Sequence, residues 1–323
     1  MHVLVTGAAG FIGSHTAEAL LARGARVRGL DCFDDYYDVR RKRANLDALL
    51  DREGFEFEEG DFRLSEVCRR VLEGIDVVVH LGARPGVRAS IEDPRRTYDM
   101  NVLGTVALLE AMHARSIKKM VLGSTSSVYG GDSPVPFREE LPSSRPLSPY
   151  AASKRACELL LASYVEIHGF GAIALRLFTV YGPRGRPDMS VGKFVEAALA
   201  RRPVPLNGDG SVTRDFTYID DIVRGITAAA EKVAPGAFEL ANLGGSERSS
   251  VRDMIALVEK HTGEKLALER KPPAPGDAPT TWASVERAER LLDWRPRVKL
   301  DEGVAHTVAW AREARARHPA VYG

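Results

Sequence analysis

Tyr150 and Lys154 stand four residues apart in a segment that reads as the start of a helix, so their side chains share one face and can converge on one ligand. An ammonium beside a phenol lowers the phenol pKa and favours a phenolate able to act as a general base near neutral pH. The same spacing also fits a half-buried helix tyrosine beside a surface lysine. Thr125-Ser126-Ser127 add weight to the chemical reading. They lie just beyond a strand-like run ending near Ser124, and strand carboxyl ends open onto the ligand crevice of a doubly wound sheet.

A second group of residues could hold a nucleotide. Gly7-Ala8-Ala9-Gly10-Phe11-Ile12-Gly13 falls between an apolar run, His2 to Thr6, and a stretch with helical apolar spacing, Phe11 to Ala22. Glycines let the backbone turn tightly and approach a pyrophosphate, and the free amides of a helix start supply donors and partial positive charge. The spacing is GxxGxxG and not GxGxxG, so a plain strand-to-helix turn is the competing reading. Asp31 lies at the end of the second strand, 18 residues past Gly13, where a carboxylate can accept from the adenosine ribose hydroxyls. It would repel a 2′-phosphate, so the expected cofactor is NAD and not NADP. A nicotinamide cation would then join Lys154 in lowering the Tyr150 pKa. Asp61, at the end of the third strand, serves either the adenine edge or a helix N-cap.

The elements that must position these residues follow from the alternation of patterns. Ala25 to Asp31, Phe55 to Asp61, Ile75 to His80, Lys119 to Ser124 and Ala172 to Tyr181 read as further short strands separated by segments long enough for crossover helices. Val77, Val78 and Val79 are apolar in succession, as in a strand covered on both faces. The expected fold is α/β, a doubly wound parallel Rossmann-type sheet with a smaller C-terminal α/β substrate lobe. Turn-rich Gly182-Pro183-Arg184-Gly185-Arg186-Pro187 sets the boundary, giving a cofactor domain over 1–182 and a second lobe over 183–323. Part of 215–245 belongs to that lobe or returns to the first domain. Helices are expected at Val191 to Ala200, Ile219 to Lys232, Val251 to His261 and Leu300 to Arg315, and a surface loop at Lys271 to Gly276. The run Arg40-Arg41-Lys42-Arg43 reads as a solvated helix face, with a phosphate contact as the alternative.

Composition excludes several classes of function. Among 323 residues, 45 Lys and Arg against 44 Asp and Glu leave a net charge of +1, so no bulk field draws the chain to nucleic acid or an anionic membrane. No run approaches the ~18 apolar residues of a membrane helix, and no basic leader precedes the first strand. Cys32, Cys68 and Cys157 lie far apart and in no metal-ligand spacing, so we expect reduced thiols, no metal and a cytoplasmic location.

Taken together, TGAAGFIG at 6–13, the YxxxK of Tyr150 and Lys154, the hydroxyl cluster before Val128-Tyr129-Gly130, and Arg214-Asp215-Phe216-Thr217-Tyr218 resemble the extended short-chain dehydrogenase/reductases that act on nucleotide sugars. The likeness runs over nearly the whole chain. Within that superfamily the chain most resembles UDP-glucuronate 4-epimerases, through Asp34-Asp35-Tyr36-Tyr37-Asp38, the stretch from Gly82 to Ser90, and Gly185-Arg186-Pro187-Asp188-Met189. These longer strings are far more specific than the glycine loop.

The resemblance implies roles for particular residues. Tyr150 would take the proton of the sugar 4-hydroxyl while NAD takes hydride from C4. Lys154 would bind the nicotinamide ribose, and Thr125, with Ser126 and Ser127, would face the reacting oxygen. The 4-keto sugar would turn about its diphosphate linkage and regain the hydride on its other face. Phe62, Leu81, Gly82, Ala83 and Asn101 would lie along the cofactor. Thr179, Lys193 and Arg214 would lie near the sugar, the diphosphate or the uridine, and Asp277 near the nucleotide. Helices over Arg95 to Ala114 and Ser153 to Ile167, apolar on more than one face, fit either core burial or the homodimer bundle that the resemblance implies.

Departures from the family pattern refine the reading. Dehydratases and decarboxylases of the superfamily usually carry an acid directly before Val-Tyr-Gly, where this chain has Ser127. A base for chemistry at C5 is therefore missing. A 4-keto glucuronate is a β-keto acid, and it loses carbon dioxide when its scissile bond aligns with the carbonyl π system. Arg186, and also Arg88, could hold the carboxylate out of that alignment by bidentate pairing; each could instead be a solvated loop charge or a diphosphate contact. The leading expectation is NAD-dependent 4-epimerisation of UDP-glucuronate to UDP-galacturonate. A UDP-glucose-type epimerase, a UDP-glucuronate decarboxylase and an NAD(H)-sensing binding protein are the alternatives.

Overall fold

A computed structural model describes residues 1–245, 248–272 and 280–323. Strand β1 (His2–Thr6) leads to helix α1 (Phe11–Ala22), β2 (Arg26–Asp31), α2 (Val39–Leu50), β3 (Phe55–Glu59), α3 (Ser65–Val71) and β4 (Val77–His80). Helices α4 (Val87–Glu92) and α5 (Pro94–Tyr98), a π-turn over Asp99–Leu103 and α6 (Gly104–Ala114) follow. Next come β5 (Lys119–Thr125), a 3₁₀ turn (Ser126–Tyr129), α7 (Pro149–His168) and β6 (Gly171–Leu177). The remainder comprises β7 (Thr179–Tyr181), α8 (Ser190–Ala200), β8 (Val204–Asn207), β9 (Thr213–Tyr218), α9 (Ile219–Lys232) and β10 (Phe238–Leu243). It ends with β11 (Arg248–Ser250), α10 (Val251–Thr262), β12 (Leu268–Lys271), α11 (Glu286–Leu292), α12 (Leu300–Arg317) and α13 (Pro319–Tyr322).

Seven parallel strands form the main sheet in the order β10-β6-β5-β4-β1-β2-β3. The chain works outward from β1 to β3 and then crosses back to β4, so the winding reverses between β1 and β4. That reversal opens a crevice at the carboxyl ends of the two strands. Apolar side chains leave each strand alternately toward two helical layers. Val3, Val5, Val77 and Val79 join one core with Ile222 and Ile226 of α9, while Leu4, Val78, Met120 and Leu122 join the other with Leu108, Met112 and Leu161. Both faces of the central strands β1, β4 and β5 are covered, which is why Val77-Val78-Val79 reads as a continuous apolar run.

Three departures from the expected elements matter. The run Ala172 to Tyr181 is not one strand. It breaks at Phe178, whose amide donates to Leu243 O at 3.0 Å, and the chain passes from β6 in the main sheet to β7 in a three-stranded sheet with β9 and β11. The helix over Arg95 to Ala114 is interrupted by the π-turn at Asp99–Leu103. The basic run on α2 is not a uniform solvated face either: Arg41 pairs with Glu196 at 2.5 Å and Lys42 is buried. Strand β10 pairs with β6 from Phe238 opposite Ala172 to Leu243 opposite Leu177, so the chain returns to the main sheet after β9. Lys271 ends β12, and most of the expected loop that follows lies outside the described residues. Among the described residues no helix is long and apolar enough to cross a membrane, and no group of His, Cys, Asp or Glu is arranged to hold a metal.

Candidate active site

The glycine loop sits in the crevice between β1 and β4. Gly7 has φ of +71°, and a side chain there would meet Gly82 N at 2.9 Å, so the loops after the two strands touch backbone to backbone. A Cβ on Gly13 would fall 2.0 Å from Gly7 O, so the first turn of α1 packs against the loop with no room for a methyl group. Gly10 caps α1 without a side chain, which leaves first-turn amides for a ligand. Asp31, at the carboxyl end of β2, accepts from Ala9 N at 3.0 Å and Phe33 N at 2.8 Å and so ties the loop to the strand. Burial raises its pKa.

A cleft follows this loop. Gly7, Gly10, Phe11, Ile12, Gly13, Asp31, Phe62, Leu81, Gly82, Ala83, Tyr150 and Lys154 all line it. Two expected cofactor residues do not. The Asp61 carboxylate is taken by Arg63, at 2.6 Å from Nη2 and 2.9 Å from the backbone amide, so it closes the turn after β3 and does not face the cleft. Asn101, in the π-turn, accepts from Arg84 N at 2.7 Å and donates to Ser153 Oγ at 2.9 Å, bracketing the loop after β4 to helix α7. Tyr36 and Tyr37, to which the sequence reading assigns no site role, also line the cleft, as does Lys42, expected on a solvated face or at a phosphate. Lys42 donates to Asp34 O at 2.7 Å, and its side chain is hidden inside what the sequence presents as a run of surface cations.

Helix α7 begins just before the expected pair. Ser148 caps it by accepting from Ala151 N at 3.2 Å, Pro149 fits its first turn, and Gly169 ends it with φ of +65°. Tyr150 and Lys154 are thereby placed on the first turns, over the carboxyl end of β5. Lys154 is only 3% exposed and is no surface lysine. Burial lowers its pKa. Thr125 is the last residue of β5, accepts from Ser127 N at 3.2 Å, and lines a cleft together with Tyr150.

The protein's own groups leave the Tyr150 pKa raised, and the expected lowering by Lys154 is not found. Burial raises it, while the Arg186 charge and the neighbouring Thr125 hydroxyl work in the opposite direction; Lys154 is not among the causes. The physical reason is that a phenol with little access to water resists ionisation unless cations face it directly.

A second cleft meets the first at Tyr150. Arg88, Thr125, Ser126, Ser127, Thr179, Arg186, Lys193 and Arg214 line it, so every expected substrate residue within the described segments converges there; Asp277 lies outside them. Phe11 and Ile12 of the glycine loop, with Tyr36, Ser124, Tyr150, Leu177 and Arg186, line both clefts. The break at Phe178 produces this junction, because Leu177 ends one sheet and Thr179 begins the other. Arg88 and Lys193 are close enough for Arg88 to help burial lower the Lys193 pKa. A ligand spanning the second cleft thus meets cations along its length and hydroxyls next to Tyr150.

Residues 3–244 match the model of the NAD dependent epimerase/dehydratase family. The chain belongs to that family. It is 43% identical, over 97% of this chain and 96% of the other, to the UDP-glucuronate 4-epimerase of Thermodesulfobacterium geofontis. Among solved structures, the UDP-glucuronic acid 4-epimerase of Bacillus cereus, in complex with UDP-glucuronic acid and NAD, superposes with a TM-score of 0.92 at 38% identity, covering 97% of this chain and 99% of that one. The UDP-glucose 4-epimerase of Thermus thermophilus, in complex with NAD, gives 0.87 at 34% identity, covering 97% and 100%.

Proposed function

We propose that the protein is a UDP-glucuronate 4-epimerase that forms UDP-galacturonate through a transient 4-keto sugar and holds its NAD throughout. The observation that carries this reading is the meeting of the two clefts at Tyr150, with Thr125 and Arg186 lining the same junction. The side-chain-free turn at Gly7, Gly10 and Gly13 receives the cofactor diphosphate, and Asp31 the adenosine ribose. Bound NAD accepts hydride from the sugar C4 and returns it, so the reaction has no net redox change.

Tyr150 takes the proton of the 4-hydroxyl and gives it back. Thr125 holds the oxygen in line with the phenol, and the Arg186 charge stabilises the phenolate. Lys154 orients the cofactor ribose. Arg88, Lys193 and Arg214 anchor the nucleotide diphosphate while the ketosugar turns about its linkage. Ser127, where an acid would serve chemistry at C5, leaves that carbon untouched. Arg186 also meets the sugar carboxylate and fixes its plane, which suppresses loss of carbon dioxide.

Purified protein given UDP-glucuronate is expected to form UDP-galacturonate without added NAD, as read by product chromatography. Failure to do so even with NAD supplied would overturn the reading.

The finer expectations concern assembly and location. We propose a homodimer through α6 and α7: Leu103 at the entry to α6 is 60% exposed, and Leu159 and Ile167 on α7 are 55% and 71% exposed. Light scattering should give twice the chain mass; a mass of one chain would rule the dimer out. A cytoplasmic location is supported by Cys32, Cys68 and Cys157, all free thiols.

A further inference from the structure

Arg186 does not reach into the clefts alone. Its Nε donates to Asp188 Oδ1 at 3.0 Å and its Nη2 to Asp188 Oδ2 at 2.8 Å, so one edge of the guanidinium is filled by a carboxylate two residues along the same loop. The Tyr36 hydroxyl donates to the same Asp188 Oδ2 at 3.0 Å. The Arg186 guanidinium lies 5.7 Å from the Tyr36 ring centroid and that of Arg84 lies 5.6 Å from it. Gly86, with φ of +100°, makes room for the tyrosine: a Cβ there would fall 2.2 Å from the Tyr36 hydroxyl. Loops after β2, after β4 and before α8 therefore close on one aromatic ring and one ion pair.

We infer that Asp188, backed by Tyr36, is a positioning residue that fixes the plane of the Arg186 guanidinium and thereby decides whether the oxidised sugar is reduced again or loses carbon dioxide. The inference rests on the acidic-sugar reading above. A site built only to attract a carboxylate would leave Arg186 unpaired. Asp188 offsets part of that charge toward an incoming anion and so lowers affinity; attraction falls to Arg88, Lys193 and Arg214 in the same cleft. In exchange the Nε–Nη2 edge is locked by Asp188, with Met189 Sδ a weak 3.5 Å acceptor from Nη2, and the sugar carboxylate displaces the thioether to meet the Nη1–Nη2 edge in the same plane.

The orientation matters because of the competing step. When the C5–C6 bond aligns with the C4 carbonyl π system, its electron pair moves into that system as carbon dioxide departs. The resulting enolate takes a proton from water at C5 and becomes a 4-ketopentose, which the returned hydride converts to a UDP-pentose. A carboxylate held with its C5–C6 bond near the carbonyl plane cannot follow that course.

The test compares wild-type holoenzyme with Asp188→Asn and Tyr36→Phe, using UDP-glucuronate and measuring carbon dioxide, UDP-pentose and UDP-galacturonate together with KM. Asp188→Asn should lower KM at least threefold and raise UDP-pentose per UDP-galacturonate at least tenfold. Tyr36→Phe should raise the same ratio by less, with KM unchanged. A merely structural Asp188 would raise KM, lower kcat and leave the ratio alone. If the wild type inverts UDP-glucuronate and neither variant changes the ratio, this inference falls and the proposed function stands. If the wild type does not invert UDP-glucuronate, both fall.

Discussion

Replacing Tyr150 with Phe is expected to lower kcat by about three orders of magnitude or more while bound NAD and the fold are retained, since a positioned general base contributes roughly 10²- to 10⁴-fold. The phenyl ring keeps the shape of the first turn of α7, whose cap at Ser148 and pairing through Ser153 do not involve the phenol oxygen. Only the proton acceptor is removed. Measured as NAD content of the purified protein and as turnover of UDP-glucuronate, the two readouts should separate. A variant that still turns over near the wild-type rate would remove Tyr150 from the chemistry. A variant that loses both NAD and its fold would make the residue structural. The pH dependence follows from the same group. The active form is the phenolate, so kcat should rise with pH through the Tyr150 pKa and then level. Neutralising Arg186 should move that rise to higher pH, because its charge opposes the effect of burial on the phenol.

The second large effect concerns stability. Glu158 on α7 accepts from Arg176 Nε at 3.0 Å and Nη2 at 2.9 Å, from Ser124 Oγ at 2.6 Å and from Arg155 at 2.8 Å. Arg176 and Glu158 side chains are 1% and 0% exposed. Removing one partner strands the other charge in the dry layer between α7 and the sheet. Glu158→Ala should therefore cost about 3–5 kcal/mol of unfolding free energy by denaturant titration. Replacing both residues with apolar side chains of similar volume should restore much of it. A loss of under about 1 kcal/mol would show that the charge is solvated after all.

Burial opposes ionisation of Glu158, but its hydrogen bonds from Arg176, Ser124 and Arg155 leave its pKa lowered overall. Its contribution is accordingly present above the unfolded carboxylate value of about 4.3 and is lost as pH falls through the lower folded value. The pair also holds Ser124, so the strand end that presents Thr125 depends on it.

Much of this arrangement is legible in the residues. Runs such as Val77-Val78-Val79 announce strands covered on both faces, and the glycine loop, Asp31, Tyr150 and Lys154 lie where strand-end chemistry requires. What the chain conceals are features set by tertiary neighbours. From Ala172 to Tyr181 the chain is apolar but for Arg176 and Thr179, so nothing local marks the turn at Phe178 that sends β7 to another sheet. Strand β12 is Leu-Glu-Arg-Lys, exposed at every position, and is a strand only because its backbone pairs with β8. Lys42 looks like any other cation of its run until the fold buries it. Asn101 looks like a ligand until the π-turn directs its amide to Arg84 and Ser153. The pKa of Tyr150 turns on solvent access, which spacing does not record.

The return of β10 to the edge of β6 has an evolutionary corollary. The chain leaves the large sheet at Phe178 and rejoins it at Phe238, so its front and back portions are interleaved and are not successive cassettes. A chimera spliced between relatives near residue 182 would bring in a foreign edge strand and a foreign covering helix, α9, along with any new sugar preference. Lineages of this architecture should therefore diversify by changing single side chains in the loops around the crevice, and recombination within the chain should seldom succeed.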